Sequence, residues 1–478
     1  MKSDPNRGWA KTEGLSIMQR TEPAYLNSGK VGQVAVSDGA DRSPSDPLHP
    51  DVHLFETHLG PHVFIVNGSQ VYGLGPREYA SLSAAQRERA EGLNFVLKDL
   101  GLHSPPLIDD APINSPPIRA LSLAVAQACN LGCTYCYAQQ GEFGGAAKRM
   151  PMNVALAAVE RLFADVKPGD RVNLAFLGGE PLIARGVIQA ATERAVQLAT
   201  RRHGRVDFSI TTNGTLISPA DADFFDRYGF AVSISLDGVG DAHDVQRPFK
   251  NGRGSYARII ANVGPLLARQ NKMQVSARVT VTPRNLQLRD TLDRLIALGF
   301  HSVGFSPMLS APSGREEMDE ESLTVMLDQM IECGREFESR VSAGERYPFA
   351  NMVTAMKEIH RGTHRPYPCG AGAGYLGVSA DGELSACHRF VNDGTGRMGD
   401  LAAGVDLVRQ NNWLAERHVH RQEPCRSCWA RYLCGGGCHH EVIHRGRPAC
   451  AYIRGWLHYC LQAYVRLLHS RPDYFAAG

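Results

Sequence analysis

No stretch of this sequence stays apolar for long enough to span a bilayer, which excludes a helical membrane-spanning reading. The N-terminal run MKSDPNRGWAKTEGLSIMQR holds no apolar core of signal-peptide length. Charge of one sign is also lacking. Lys and Arg number 51 and Asp and Glu 49, a net charge of +2 over 478 residues. That balance argues against a nucleic-acid binder or a membrane-surface protein. The expectation is a cytoplasmic chain with no nucleic acid and no membrane as partner. In that compartment thiols stay reduced, so clustered cysteines point to metal ligands more than to disulfides.

What is present is an ordinary globular composition, 43% hydrophobic and 21% charged, with length for about two or three domains. Residues 1–50 are polar and rich in Gly, Ser, Asp and Pro, and predict a flexible tail. Residues 51–118 predict a small α+β extension. Alternating VHLFETHLGPHVFIVNGSQVYGLG reads as two or three strands, an amphipathic helical stretch ends at Gly101, and HSPPLIDDAPINSPPI is a proline-rich linker. From 119 to 315 strand-like runs alternate with helical patterns. Six such units predict an α/β fold, a partial (β/α)6 barrel with its chemistry at the carboxyl ends of the strands. Residues 316–362 read as a helical linker. Residues 363–478 change character, with many Gly, eight Cys and little helix expected, and read as a further, cysteine-rich domain.

Twelve cysteines are present. Cys333, alone in a helical pattern, reads as a buried apolar residue. Cys129, Cys133 and Cys136 stand in a C-x3-C-x2-C spacing, in the loop after the first strand of the series. They could be disulfide partners, buried apolar residues, zinc ligands or ligands of an iron–sulfur cluster. A structural zinc site closes with four ligands, and CNLGCTYCYAQQGEFGG offers neither a fourth Cys nor a His. Three thiolates can instead hold three irons of a [4Fe–4S] cube and leave the fourth iron open.

With Tyr135 as its aromatic residue, this spacing resembles the signature of the radical S-adenosylmethionine (SAM) enzymes. The resemblance implies a [4Fe–4S] cluster on Cys129, Cys133 and Cys136. SAM would chelate its open iron, and reductive cleavage would yield a 5′-deoxyadenosyl radical. Gly178, Gly179, Glu180 and Pro181 resemble the family's motif for the SAM amino group. TTNGTLI with Asn213 and SISLDG with Ser235 and Asp237 also match its pattern. Ser235 is expected at the SAM ribose or carboxylate. Asn213 and Asp237 read equally as turn caps, with Asp237 also a candidate catalytic base. HDVQRPFKNGRGSY resembles peptide-modifying members. Arg247 there, or Arg278, could clamp a carboxylate of SAM or of substrate, or form a structural ion pair.

GELSAC gives G-x4-C at Cys387, and CRSCWARYLCGGGC gives C-x2-C-x5-C-x3-C, with Cys450 beyond. This pattern resembles the SPASM, or twitch-type, extension of radical SAM enzymes that modify peptides. The resemblance implies two auxiliary [4Fe–4S] clusters, three in all. One would take Cys425, Cys428, Cys434 and Cys450. The other would take Cys369, Cys387 and Cys438 and lacks a fourth thiol, because Tyr375 stands where some members carry one. Cys460, His388, another polar group or a substrate thiolate could fill that place. Zinc on the C-x2-C pairs is the bland alternative.

Chain length and layout over 51–478 resemble the maturases of the small Cys-rich subunit of quinohemoprotein amine dehydrogenase. They imply thioether bonds from Cys sulfur to an Asp or Glu methylene. The partners implied are a small Cys-rich peptide or protein subunit as substrate and an external electron donor such as flavodoxin or ferredoxin. Sulfatase maturases are shorter and commonly carry an acidic base where His388, the other candidate catalytic residue, stands here. Carbon–carbon crosslinking, formylglycine formation, a small-molecule substrate and a non-catalytic zinc scaffold are the alternatives.

Overall fold

The computed structural model describes residues 50–86 and 90–476, so the tail expected over 1–50 falls outside the described residues except for Pro50. Val52–Thr57 (β1), Gly60–Ile65 (β2) and Gln70–Gly73 (β3) form an antiparallel meander. Its faces alternate as a two-residue period requires. Val63 and Ile65 pack with Leu82, Leu93 and Leu97, whereas Phe64 and Val66 join the main core. The single helical stretch expected next is two helices, Pro76–Ala85 (α1) and Ala90–Asp99 (α2), the first opened by a proline that has no N–H to satisfy.

Six parallel strands follow: Ala120–Gln127 (β4), then, after the two-residue antiparallel β5 (Lys148–Arg149), Arg171–Gly178 (β6), Arg205–Thr212 (β7), Ala231–Ser235 (β8), Gln274–Val281 (β9) and Ser302–Pro307 (β10). Each lies beside its predecessor in the order β4-β6-β7-β8-β9-β10, the open barrel expected from six alternating units. Helices cross between them: Met152–Phe163 (α3), Arg185–Arg202 (α4), Pro219–Tyr228 (α5), Asp241–Gln246 (α6), Tyr256–Leu267 (α7) and Leu288–Ala297 (α8). β4 is an almost unbroken buried run because both its faces are covered.

Beyond Glu320–Ser342 (α9) and Ala350–His360 (α10), the cysteine-rich region continues the same sheet. Tyr375–Val378 (β11) pairs in parallel with β4, placing Tyr375 opposite Ala120. Glu383–Ser385 (β12), Arg397–Asp400 (β13) and Gly404–Val405 (β14) extend it as an antiparallel meander. The expectation of little helix here is corrected. Leu407–Arg417 (α11), Arg431–Cys434 (α12), His439–Arg445 (α13), Cys450–Ser470 (α14) and Asp473–Ala476 (α15) are helical, and α14 alone runs 21 residues. Its apolar period (Ile453, Leu457, Cys460, Leu461, Tyr464, Leu467) is hidden among aromatic and glycine residues of weak helix propensity. No helix among the described residues is long and apolar enough to cross a membrane.

α14 packs along α9. Glu338 on α9 accepts from Arg466 Nε and Nη2 at 2.7 and 2.9 Å and from the Tyr459 hydroxyl. The contact is close because Gly334 lies against the Tyr459 ring and Gly455 against Leu327, where a Cβ would clash. Gly334→Ala should therefore destabilise by about 1–3 kcal/mol through overpacking. A lowered midpoint of urea unfolding with cluster content unchanged is the expected result.

Candidate active site

The loop after β4 is stitched to the segment that carries Arg247. Gly132 N–H donates to Pro248 O at 2.8 Å, Thr134 N–H to Gln246 O at 3.2 Å and Lys250 N–H to Asn130 O at 3.2 Å. Cys129, Cys133 and Cys136 come close enough on this loop to act on one another electrostatically. Cys129 Sγ also accepts from Leu131 N–H at 3.4 Å and from Asn213 Nδ2 at 3.7 Å. Asn213 has a second role, since its Oδ1 accepts from Thr215 N–H at 2.9 Å in an Asx turn.

Tyr135 is buried, and its hydroxyl is committed. It donates to Asp237 Oδ2 and accepts from Arg247 Nη1 at 2.5 Å. Arg247 Nη1 also lies 3.5 Å from Asp237 Oδ2, and Asp237 Oδ1 accepts from Thr280 N–H at 2.8 Å. Burial pushes the Asp237 carboxyl upward while Arg247 and Tyr135 pull it down. Asp237, expected as a candidate base, is a fully buried acceptor that anchors the loop and is closed to solvent, so the structure corrects that assignment. Asp237 N–H donates to His243 Nδ1 at 3.2 Å, which leaves the His243 proton on Nε2, 3.0 Å from Ser255 Oγ.

Gly178 and Gly179 pass directly over Ala126 and Ala128, just ahead of Cys129, and a Cβ on either would overlap that backbone. Close approach between two loops, more than approach to a ligand, is what these glycines permit. Glu180 is fully buried. It accepts from Leu182 N–H at 3.0 Å, Thr212 Oγ1 at 2.7 Å and Asn213 N–H at 2.8 Å, binding the GGEP and TTNG turns into one floor. Pro181 opens the short helix that Glu180 caps. Ser235 ends β8 in register with Arg278 on β9. Among the described residues Arg278 makes no ion pair, and its one side-chain hydrogen bond, to Ser306 Oγ, is 3.4 Å long.

The second thiol set is linked to the first through Tyr137, which lies close enough to Cys136 and to Cys387 to interact with both. Cys369, Cys387 and Cys438 act on one another electrostatically, and so do Cys425, Cys428, Cys434 and Cys450. The latter four line one cavity, walled by Ala430, Val442, Ala449 and Ile453. Gly435, Gly436 and Gly437 all have positive φ and turn the chain from Cys434 to Cys438, from one set to the other. Cys460 joins neither. It is fully buried on α14, where its electrostatic partner is Glu338 of α9 and not a thiol of either set. Tyr375 directs its hydroxyl to Ser122 Oγ and His388 Nδ1, both at 2.8 Å. Burial, with Arg389 and Arg278 beside it, lowers His388 to about 4, so the imidazole is neutral near pH 7.

Sequence reasoning missed two residues between the sets. Tyr137 feels the charge of both Cys136 and Cys387, and its ring lies 6.0 Å from that of His388. Arg389 stacks over Tyr137 at 5.2 Å, donates to Cys438 Sγ at 3.8 Å and pairs with Glu441 at 2.7 Å. The signal was their adjacency to flagged residues, Tyr137 to Cys136 and Arg389 to His388. A third feature joins distant segments. His53 on β1 stacks on Trp429 at 3.7 Å, and Arg431 bonds Asp51 and Pro50 O, so the N-terminal meander grips the Cys428–Cys434 segment.

The donor sets fit iron–sulfur clusters. Burial raises the Cys133 and Cys387 thiols to about 12 and Cys425 to about 11. Thiols held this way ionise readily only against a bound cation, which the clusters supply. Arg247 Nε, buried without a partner beside Cys133, adds an unused donor to the first site.

Residues 123–295 match the model of the Radical SAM superfamily. Fold, thiol loop and match together define a radical SAM domain. The chain is 28% identical over 344 residues to the serine-type anaerobic sulfatase-maturating enzyme of Klebsiella aerogenes, covering 68% of this chain and 81% of that one. The solved structure of native anSMEcpe with bound AdoMet superposes with a TM-score of 0.60 at 19% identity, over 75% of this chain and 100% of that one. The same protein with bound AdoMet and Cp18Cys peptide superposes equally. Residues 123–295 thus carry a radical SAM domain, and the chain as a whole is similar to the anaerobic sulfatase-maturating enzymes.

Asp237→Ala should leave Arg247 buried and unpaired, at a cost of about 3–5 kcal/mol. Urea unfolding and the iron retained per chain are both expected to fall, with Asp237→Asn intermediate.

Proposed function

We propose that this enzyme modifies a peptide or protein, joining Cys sulfur to a side-chain methylene carbon of Asp or Glu in a small Cys-rich subunit. The observation that carries this reading is the three-thiol set Cys369, Cys387 and Cys438, one ligand short and facing the same interior as the Cys129–Cys136 loop. A substrate thiolate would take the fourth place, since Cys460 lies on α14 beside Glu338, the Tyr375 hydroxyl is held by His388 and Ser122, and His388 Nδ1 is engaged by Tyr375. Support for a peptide substrate comes from the peptide carried by the solved relative.

When bound, SAM at the reduced first cluster supplies the hydrogen-atom abstraction. This chain's residues do the rest. Tyr135, Asp237 and Arg247 hold the thiol loop rigid, with Arg247 and Ser235 toward the SAM carboxylate. Glu180 and the backbone of Gly178–Pro181 form the floor for its amino group. Arg278, the guanidinium left without a carboxylate, takes the substrate Asp or Glu carboxylate as a bidentate clamp and fixes the adjoining methylene. Neutral His388 orients the Tyr375 hydroxyl, and the proton released as the substrate thiol ionises passes to solvent. Arg389 steadies the charge on Cys438. Forming one C–S bond from C–H and S–H releases two hydrogens. One leaves as the abstracted atom, the other as a proton plus an electron, which a bound auxiliary cluster would take up and hand to an external acceptor. Among the described residues β3 has no strand partner on its outer side, so a leader segment can add there. An external flavodoxin- or ferredoxin-like donor would supply the electron that SAM cleavage needs.

A second reading, formylglycine formation, is favoured by the similarity to the Klebsiella enzyme. It differs at His388, where maturases of that type commonly place an acid.

Iron and sulfide near three clusters per chain are expected after anaerobic reconstitution. Co-expression with a small Cys-rich substrate should yield a product lighter by two hydrogens per crosslink and resistant to thiol alkylation. Arg278→Leu should cut product by about 100-fold through lost positioning while SAM is still cleaved. An aldehyde at Ser or Cys would select the second reading, and zinc without iron would sink both.

A further inference from the structure

Outside the thiol sets, one group of side chains has the chemistry of a metal site. His440 and His444 lie one turn apart on α13, so their rings share a face and their centroids are 4.5 Å apart. Asp393, from the loop after Cys387, meets them there. His444 Nε2 is 2.9 Å from Asp393 Oδ2. Each of the three offers one ligand atom, and those atoms lie within 4.8 Å of one another. Around a tetrahedral ion with bonds of about 2.1 Å, ligand atoms stand about 3.4 Å apart, so small side-chain rotations complete the geometry.

Hydrogen bonding among the described residues satisfies Asp393 and one His444 nitrogen and leaves His440 incomplete. His440 Nδ1 is buried with no hydrogen-bond partner. An unmade bond of that kind costs about 1–3 kcal/mol and persists where another partner is meant to supply it. The second oxygen of Asp393 accepts from Thr395 N–H at 2.9 Å, the outer support that fixes a ligand carboxylate. The nearest cation, Arg389, is neutralised by Glu441 at 2.7 Å. His444 is exposed, which gives an ion a way in and leaves a coordination position to water.

We infer that Asp393, His440 and His444 form a binding site for a divalent transition-metal ion, zinc foremost, distinct from the three thiol sets. Two histidines and a carboxylate with an open position suit zinc and its neighbours in the first transition row, and availability decides among them. The placement gives the ion a purpose. Asp393 follows Cys387 on one segment, and His440 and His444 follow Cys438 on another. A bound ion would tie together the two segments that carry the thiol set lacking a fourth ligand.

The test uses anaerobically reconstituted holoenzyme, with iron and sulfide counted first. It is incubated with zinc chloride, desalted, and its metals measured by mass spectrometry. About one further zinc per chain is expected, with iron unchanged and the thermal unfolding midpoint raised. His444→Ala, at an exposed ring, should weaken zinc binding at least tenfold, about the least that losing a ligand costs, and abolish the rise in midpoint with iron retained. Asp393→Asn, equal in shape, should do the same. Zinc held equally by wild type and His444→Ala, zinc gained only as iron is lost, or no zinc held by wild type would each overturn the site. Failure of the radical SAM reading would show separately, in the iron and sulfide count before zinc is added.

Discussion

The pairing of β11 with β4 is the contact on which the site depends. Tyr375 lies opposite Ala120, across roughly 250 positions of chain, and that register sets everything around it. β4 runs into the Cys129–Cys136 loop, while β11 and β12 form the hairpin that ends at Cys387. Because both belong to one sheet, Tyr137 from the first loop and His388 from the hairpin meet in the same interior. Gly377 makes room for this, since a Cβ there would overlap Ser385 and the backbone of Cys387 and His388. Parallel pairing at such separation is costly in loop entropy. The offset is apolar burial, with Leu121, Leu123, Leu376 and Val378 all fully covered.

Charge balance imposes the second constraint. The first loop gathers three thiols, Asp237 and Tyr135 around Arg247, a buried guanidinium. Uncompensated, such a charge would be expelled, and uncompensated thiolates would stay protonated. Each is therefore stable only in the company of the other. This explains why the Asp237 carboxylate is committed inside the fold. Arg278 has no such carboxylate partner among the described residues, only the long hydrogen bond to Ser306.

The cysteine-rich region is held by turns and long-range ties. Three consecutive glycines let the chain leave one thiol set and enter the other within four residues, a path that no residue with a Cβ follows cheaply. Arg431 and Trp429 then anchor the Cys428–Cys434 segment to β1, so the N-terminal meander is part of the cluster-bearing structure.

The strands and the open barrel were legible in the sequence, because alternation and period are local signals, whereas the sorting of ten cysteines into three sets is what the family resemblance implies. α14 was not, since its apolar period is diluted by Gly455 and aromatic residues that gain their helix from packing on α9. Nor was the commitment of Tyr135 and Asp237 to Arg247, because motif spacing fixes position and leaves partners unspecified. Tyr137 and Arg389 escaped for the same reason, as their importance lies in what they face. By itself the sequence determined that one thiol loop follows the first barrel strand and that a second cysteine-rich stretch lies further along the chain. Only the tertiary structure decided that both look into one space, because that follows from a strand pairing between segments whose sequences carry no mark of each other.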